Sequence, residues 1–344
     1  MKIKTITQAC MWLPGFAPDE DPLVVLGTLP SSKDAQAHSA SAPLQPATWP
    51  VLEASHHASL TTSVPKYEAN IAAIKLLHKL EAEGRPATEQ EQATLHRYTG
   101  WGGLVKALDG ATSDTAWTAR FKEVKELLSP EEFESLTLST PNAHYTPVTV
   151  VEAIWAAVQR LGFDGGNVLD PCTGVGYFLG AMPQALARKS RITAVELDSL
   201  SARMTKAIYA QYGVKVLQGE FEKARLPAGG FDLVIGNPPF GAERAGELRN
   251  VPFANFSIHN YFFAKALELV RPGGLVAFIT STGTMDSMGS GHRAYLNSVA
   301  QLVEAIRLPR DTFKEIASTS VTTDLLIFQK RVAKAADANE PQWL

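Results

Sequence analysis

The sequence predicts a doubly wound α/β fold: a mostly parallel sheet of seven strands, preceded by a small N-terminal helical cap. Beyond Pro141, short apolar strands alternate with helical stretches, which is typical of a parallel sheet with helices on both faces. No segment repeats at a spacing of roughly 20 to 50 residues, which argues against a solenoid or a propeller. With 344 residues, the chain can hold one large domain, or one domain with a smaller appendage, because single cores stop growing near about 250 to 300 residues.

The seven predicted strands are short apolar segments separated by helical stretches or loops. Helices are predicted over 148–160 and 261–270, among others. The last two strands are expected to form a reversed pair at one edge of the sheet. The strands are predicted over 167–169, 191–196, 215–218, 231–236, 275–280, 304–308 and 324–329.

Four regions are expected along the chain. Residues 1–65 are predicted to form a poorly ordered or loosely docked arm, because a Ser-, Ala-, Pro- and His-rich stretch shows no periodicity. Residues 66–140 are predicted to form the helical cap, in which Thr88 followed by Glu91 has the form of a capping box. The catalytic domain is expected over 141–332, with a polar tail over 333–344.

The composition indicates a soluble, cytoplasmic protein. Hydrophobic residues make up 45% of the chain, yet no apolar run approaches the roughly 20 residues that a membrane helix needs. Polar residues soon interrupt the N-terminal segment, which argues against a secretory signal. Cys10 and Cys172 lie far apart, so neither a disulfide framework nor a cysteine metal site is expected. Because the net charge is −3, any contact with DNA must come from a local basic patch.

A glycine-rich loop follows the first predicted strand. Residues 170–178 read Asp-Pro-Cys-Thr-Gly-Val-Gly-Tyr-Phe, and the glycines let backbone amides approach a ligand at a helix start. Alone, such a loop suits NAD, a flavin or S-adenosylmethionine. Glu196 ends the next strand about 20 residues later, where a carboxylate can accept both hydroxyls of a ribose. Glu220 then offers an acceptor for an adenine amino group, and Phe221 offers a ring to stack on it. The pattern favours an adenosine-type cofactor.

The fourth predicted strand ends in Asn237-Pro238-Pro239-Phe240, a combination that no ordinary turn requires. An exocyclic amine is a poor nucleophile because its lone pair is delocalised into the ring, so a catalyst must draw the nitrogen toward tetrahedral geometry. Pro238 lacks an amide hydrogen and is conformationally fixed, so its carbonyl and the Asn237 side-chain oxygen can both face an amino group. Phe240 can stack on a base that has been flipped out of a duplex.

Together these motifs resemble the S-adenosylmethionine-dependent N6-adenine DNA methyltransferases of the Asn-Pro-Pro-Phe type. The resemblance is closest to the methylase part of plasmid- and phage-borne methylase-helicase anti-restriction proteins, and it covers roughly residues 95–331. It implies a Rossmann-like class I methyltransferase fold, a DNA substrate and direct methyl transfer to a flipped adenine without a metal. The segments that carry this closer resemblance are 97–103, 142–147, 259–267, 281–285 and 306–309.

The resemblance also implies roles for individual residues. The segment 142–147 closes over the methionine end of the cofactor in this family, so Tyr145 and Thr146 are expected to contact it. Thr146 followed by Pro147 also has the form of a helix N-cap with proline at the first helical position. The catalytic residues are expected to be Asn237, Pro238, Pro239 and Phe240. The expected cofactor-binding residues are Tyr145, Thr146, Asp170, Thr173, Gly174, Gly176, Phe178, Glu196, Glu220 and Phe221.

Other substrates stay open. Protein glutamine methyltransferases carry a similar Asn-Pro-Pro turn, although the long segment 241–256 argues against that function. A catalytically silent methylase fold that binds DNA or a partner is a further hypothesis, which the intact turn disfavours. Enzymes that methylate N4 of cytosine usually carry Ser or Asp in place of Asn237, so adenine is favoured by analogy. C5 methylation needs a cysteine nucleophile, and Cys172 lies in the cofactor loop instead.

Contacts with DNA are expected from loops. The segment 241–256 carries Arg244, Arg249, Phe253 and Phe256, which could grip phosphates and fill the gap left by a flipped base. Only a short polar tail follows Arg331, so sequence specificity is expected to be low or to come from the cap, the loops or a helicase-like or target-recognition partner.

Overall fold

The computed structural model describes residues 4–5, 48–142, 145–241, 243–246, 249–314, 321–332 and 343. Residues 6–47 of the predicted arm and most of the predicted polar tail therefore lie outside the described residues. The stretch before the first helix packs on the α/β part of the chain. Within it, Trp49, Leu52 and Leu60 are buried, and Trp49 Nε1 donates a hydrogen bond of 2.8 Å to the carbonyl oxygen of Leu179.

The cap contains four helices among the described residues. Gly84 ends the first helix in a left-handed conformation, with φ of 63°. The second begins with the predicted capping box, which is confirmed: the Thr88 hydroxyl accepts from the Glu91 N–H, and the Glu91 carboxylate accepts from the Thr88 N–H. The helices are α1 (Ser63–Glu83), α2 (Glu89–His96), α3 (Thr115–Leu127) and α4 (Pro130–Ser139).

The strands and helices beyond residue 147 alternate as predicted. The predicted helix over 148–160 is confirmed, whereas the one predicted over 261–270 begins three residues earlier. The strands are β1 (Lys4–Thr5), β2 (Gly166–Asp170), β3 (Ser190–Glu196), β4 (Lys215–Gln218), β5 (Phe231–Gly236), β6 (Val270–Ser281), β7 (Ala300–Arg307) and β8 (Thr323–Lys330). The helices are α5 (Val148–Arg160), α6 (Tyr177–Gly180), α7 (Gln184–Ala187), α8 (Ser199–Tyr209), α9 (Ile258–Leu269), α10 (Gly283–Asp286) and α11 (Gly291–Val299).

These strands form one sheet in the order β1-β7-β8-β6-β5-β2-β3-β4. Strand β8 runs antiparallel to both neighbours, and the other pairs are parallel. Strands β2 to β8 confirm the predicted seven-stranded, doubly wound sheet, including the reversed pair β7 and β8. The two-residue strand β1 adds an unpredicted edge beside β7, because so short a segment carries no periodicity.

The sheet positions the site through its topology. Strand β2 lies between β3 and β5, so successive connections leave it in opposite directions. Such a switch point opens a crevice at the carboxyl ends of the strands, where ligands bind in open α/β sheets. Within the part of the chain that the structure describes, no helix has the length and apolar character that a membrane crossing needs.

Candidate active site

A cavity of about 330 Å³ lies at the carboxyl ends of β2, β3 and β5, against the cap. Its size falls within the range of small-molecule sites, about 300 to 1,000 Å³. Four loops contribute to its wall, one after each of β2, β3, β4 and β5, and the aromatic turn around Tyr98 and Trp101 of the cap completes it. Of the predicted residues, the cavity is lined by Tyr145, Thr146, Thr173, Gly174, Phe178, Glu196, Glu220, Phe221, Asn237 and Pro239.

The loop after β2 needs glycine at two positions. Gly174 has φ of +57° and Gly176 has φ of +86°, in the left-handed region that other residues rarely adopt. A Cβ atom at Gly174 would lie 3.0 Å from the Tyr145 ring, and one at Gly176 would lie 2.5 Å from the Tyr209 ring. The two glycines therefore let aromatic rings pack directly on the loop. Gly176 itself supports the loop from outside the cavity wall.

Glu196 ties the end of β3 to the glycine loop. Its Oε2 accepts from the Gly174 N–H at 2.7 Å, and its Oε1 accepts from the Asp198 N–H at 2.8 Å. Each carboxylate oxygen can accept more than one hydrogen bond, so capacity remains for a ligand in the cavity. Burial and the nearby charge of Asp198 raise the pKa of Glu196 to about 7.

Asp170 lies beneath the loop, fully buried and outside the cavity lining. Its Oδ1 accepts from the Cys172 N–H at 3.2 Å, so the carboxylate holds the loop from below. Burial raises the pKa of Asp170 to about 7, against the effect of that hydrogen bond. The structure thus places the predicted Asp170 where it shapes the loop rather than where it faces a ligand.

Thr146 does not cap α5, so the predicted N-cap is wrong. The N-cap is Pro147, which has a non-helical ψ of 136°, and its carbonyl accepts from the Val150 and Val151 N–H groups. Thr146 lies in the cavity wall instead and is 2% exposed. Its buried hydroxyl has no hydrogen-bond partner among the described residues. An unsatisfied buried hydroxyl costs about 1 to 3 kcal/mol, which a bound ligand or water would offset.

The loop after β4 forms one end of the cavity. Phe221 is buried in a short 3-10 turn and packs on Phe262, with ring centroids 4.8 Å apart. Lys265 supports this turn from α9, because its Nζ donates to the carbonyl oxygens of Phe221 and Glu222 at 2.6 and 2.8 Å. The Glu220 carboxylate pairs with the Lys223 Nζ at 2.6 Å, so one of its oxygens is already engaged.

Only two residues of the turn after β5 face the cavity. Asn237 and Pro239 line the cavity, whereas Pro238 is buried outside the lining. Phe240 is half-buried against the core and also lies outside the lining. The structure therefore brings Asn237 and Pro239 to the predicted cofactor residues and leaves Phe240 beside them on the adjoining surface.

His259 anchors the segment that follows this turn. Its Nδ1 lies 3.1 Å from the Gly241 carbonyl oxygen, which can only accept, so Nδ1 carries the proton and donates. Its Nε2 then accepts from the Ser257 hydroxyl at 3.2 Å. Burial lowers the pKa of His259 to about 4, so the ring is neutral at physiological pH.

Replacement of His259 by glutamine is expected to make the free energy of unfolding depend less on pH below about pH 6.5. The unfolded chain binds a proton near pH 6.5 that the native His259 binds only near pH 4, so its contribution to stability is lost as pH falls between those values. The wild-type unfolding free energy should therefore fall more steeply than the variant's, by up to about 1.4 kcal/mol per pH unit. Urea unfolding of both proteins at pH 7.5, 6 and 5 measures this, and parallel profiles would contradict it.

Only some of the predicted DNA-contacting residues in the segment 241–256 are exposed. Phe253 is 2% exposed and packs on Tyr261 and Tyr295, with ring centroids 5.5 and 5.6 Å apart. It belongs to the core, so the prediction that it fills the gap left by a flipped base is wrong. The reason is that the segment folds back onto α9 and α11, which no local pattern indicates. Arg249 pairs with Glu268 at 3.1 Å, and Arg244 stays exposed.

Sequence reasoning missed several residues of the cavity wall. Tyr98 and Trp101 belong to the motif noted over 97–103, but nothing in that motif predicted where the cap would dock. Leu197 directly follows Glu196 and is 52% exposed at the cavity, an unusual position for a leucine. Phe262 belongs to the segment noted over 259–267 and reaches the cavity from α9.

Comparisons with known proteins found relatives of this chain. The chain is 27% identical over 272 residues to the "Defense against restriction protein B" of Escherichia phage P1, covering 78% of this chain and 10% of that protein. It is 28% identical over 221 residues to the type II methyltransferase M.XamI of Xanthomonas campestris pv. amaranthicola, covering 57% of this chain and 41% of that enzyme. The chain thus spans less than half the length of each relative.

A solved structure and a family model complete the comparison. The methyltransferase subunit of a type I restriction-modification system from Streptococcus thermophilus aligns with a TM-score of 0.44 and 19% identity, covering 70% of this chain and 54% of that one. The model of the Eco57I restriction-modification methylases matches residues 66–313, which include the cap, the glycine loop and the turn at Asn237. The chain therefore belongs to the Eco57I restriction-modification methylase family.

Proposed function

We propose that this chain uses S-adenosylmethionine to methylate N6 of adenine in DNA. The observation that carries the proposal is that Asn237 and Pro239 line the same cavity as the glycine loop and Glu196. A cofactor held by the loop would thus lie beside the turn that orients an amine. One relative is named for defence against restriction, the other is named a type II methyltransferase, and the matching family is that of the Eco57I restriction-modification methylases, which supports DNA as the substrate.

The residues of the cavity fit S-adenosylmethionine. Gly174 lines the cavity without a side chain, so the cofactor can approach the loop backbone closely, and Glu196 suits the two ribose hydroxyls. The buried Thr146 hydroxyl, which has no partner among the described residues, offers a further polar contact. Leu197 and Phe221 supply apolar surface for the adenine ring. When bound, the cofactor supplies an electrophilic methyl group.

The protein's part in the reaction is to orient the target amine. The Asn237 side-chain oxygen and the Pro238 carbonyl would each accept a hydrogen bond from the amine. These two bonds would orient the nitrogen lone pair toward the methyl group. Pro238 cannot donate a competing N–H, and Gly236 ends the buried strand β5 directly before the turn, so the acceptors stand on a rigid support. Phe240 is half-buried beside the turn and would stack on a base outside the cofactor cavity.

Sequence recognition would come from surfaces around this site. Among the described residues of the 241–256 segment, Arg244 is exposed beside the turn and is suited to a phosphate contact. The cap, or a helicase-like or target-recognition partner, would supply further contacts.

The substrate class is tested by incubating the chain with S-adenosylmethionine that carries a labelled methyl group. Unmethylated plasmid DNA, total RNA and a protein extract are offered separately, and label in each is counted. Label is expected in DNA. Label in protein alone would replace the proposal with methylation of a glutamine amide. If no class is labelled although the cofactor binds, the chain does not act on DNA by itself.

A further inference from the structure

Two histidines, His96 in the cap and His57 in the stretch before α1, reach the glycine loop through tyrosines. His96, at the end of α2, is 1% exposed, and its Nε2 lies 2.8 Å from the Tyr209 hydroxyl. The same hydroxyl lies 3.1 Å from the carbonyl oxygen of Gly176. A carbonyl oxygen only accepts, so Tyr209 donates to Gly176 and accepts from the His96 Nε2–H. One directed chain of hydrogen bonds thus runs from the cap through α8 to the loop.

A second chain begins at His57. Its Nε2 lies 2.8 Å from the His96 carbonyl oxygen and 2.6 Å from the Tyr177 hydroxyl. Tyr177 in turn donates to the carbonyl oxygen of Tyr98 at 3.0 Å. His57 must therefore carry its proton on Nε2, shared between the two oxygens that it faces. The two chains meet at His96 and hold consecutive loop residues, Gly176 and Tyr177.

Both imidazoles are neutral in the folded protein. Burial lowers the pKa of His96 to about 3 and that of His57 to about 4. The Nδ1 atoms of both rings have no hydrogen-bond partner among the described residues, so a second ring proton would have nothing to donate to. Protonation is therefore unfavourable, and the direction of each chain is fixed at neutral pH.

Packing leaves these groups little freedom to move. The Tyr209 ring lies so close to Gly176 that a Cβ there would be 2.5 Å away, and Trp49 covers the same ring with centroids 5.5 Å apart. Tyr177 packs between His57 and Tyr145, with ring centroids 4.8 Å from each. Tyr145 lines the cavity itself, so the network extends from the cap to the cavity wall.

We propose that His96 and Tyr209 are positioning residues of the cofactor site, through which the cap sets the orientation of the glycine loop. The hydrogen bond to the Gly176 carbonyl oxygen is the step that matters, because it restrains the peptide planes of the loop, in which Thr173 and Gly174 line the cavity. Cofactor affinity then depends on a contact between cap and catalytic domain that lies outside the cavity. This inference rests on the proposed use of S-adenosylmethionine.

The chain offers a matched pair of variants. Tyr209→Phe removes the hydroxyl that bonds Gly176 and keeps the ring. Tyr212→Phe removes a hydroxyl that also contacts the cap, since it accepts from the Gln92 amide at 3.2 Å. Among the described residues, Tyr212 forms no hydrogen bond with the glycine loop. A purely structural role for these tyrosines predicts similar effects on affinity in both variants.

Isothermal titration with S-adenosylmethionine distinguishes a positioning role of Tyr209 from a purely structural one. Tyr209→Phe is expected to raise Kd and KM about fivefold, the equivalent of one neutral hydrogen bond, with kcat at saturating cofactor within about twofold of wild type. Tyr212→Phe should bind as wild type. His96→Gln, which keeps an N–H donor, should bind more tightly than His96→Leu.

Equal Kd values for Tyr209→Phe and Tyr212→Phe would overturn the inference while leaving the proposed function intact. A wild-type chain that does not bind S-adenosylmethionine would overturn the proposed function, and the inference with it.

Discussion

Replacing Asn237 with alanine is expected to lower kcat for methyl transfer by roughly 10²- to 10³-fold, the effect typical of removing one preorganised hydrogen-bonding group from an active site. The amine lone pair becomes reactive only when both hydrogens are accepted in the right geometry, and the alanine variant would leave the Pro238 carbonyl to act alone. Glu196 and the glycine loop are untouched, so Kd for the cofactor should change by less than about threefold.

The matched control is Asn255→Ala. Asn255 is exposed in the segment after the turn and accepts only from Arg244 in the described structure. This variant should keep a kcat close to that of wild type. Single-turnover transfer to DNA measures both variants, and an Asn237→Ala rate within about threefold of wild type would contradict the role assigned to Asn237.

Replacing Glu196 with alanine is expected to weaken cofactor binding by about a hundredfold. Hydrogen bonds to charged groups contribute about 1.5 to 3 kcal/mol each, and the proposed function has the carboxylate accept two ribose hydroxyls. The variant also leaves the Gly174 and Asp198 N–H groups without their acceptor, which loosens the loop. Both effects raise Kd for the cofactor.

Glu220→Ala is the corresponding control, because the Glu220 carboxylate lines the same cavity but is already paired with Lys223. Its loss is expected to raise Kd no more than about fivefold. Titration with the cofactor, together with urea unfolding to verify that each variant is folded, gives the comparison. Equal affinities of Glu196→Ala and wild type would show that Glu196 does not hold the ribose.

The strands of the sheet could be predicted from the sequence because each strand is marked by a local pattern of apolar and polar residues. Apolar runs such as the one over Phe231–Gly236 stand between polar loops, and each strand follows from that contrast alone. The glycine loop and the turn at Asn237 were equally visible, and their common cavity follows from the topology of a parallel sheet. What failed were details that depend on backbone angles, such as the helix start at Pro147 rather than Thr146.

The contacts of the cap could not be predicted, because they join residues far apart in sequence. The hydrogen bond between His96 and Tyr209 spans 113 positions, and that between His57 and Tyr177 spans 120. Composition marked this N-terminal region as irregular, yet a few aromatic and histidine side chains fix its end against the loop. The prediction that Phe253 contacts DNA was wrong for the same reason. The segment that carries this residue folds back onto helices that follow later in the chain.

The most direct test of the central claim is the identity of the modified nucleoside. Unmethylated DNA is incubated with the chain and S-adenosylmethionine, digested to nucleosides and analysed by mass spectrometry, with Asn237→Ala treated in parallel. N6-methyladenine that appears with the wild-type chain and is lost with Asn237→Ala is the predicted result. N4-methylcytosine, or N6-methyladenine formed equally by both proteins, would contradict it.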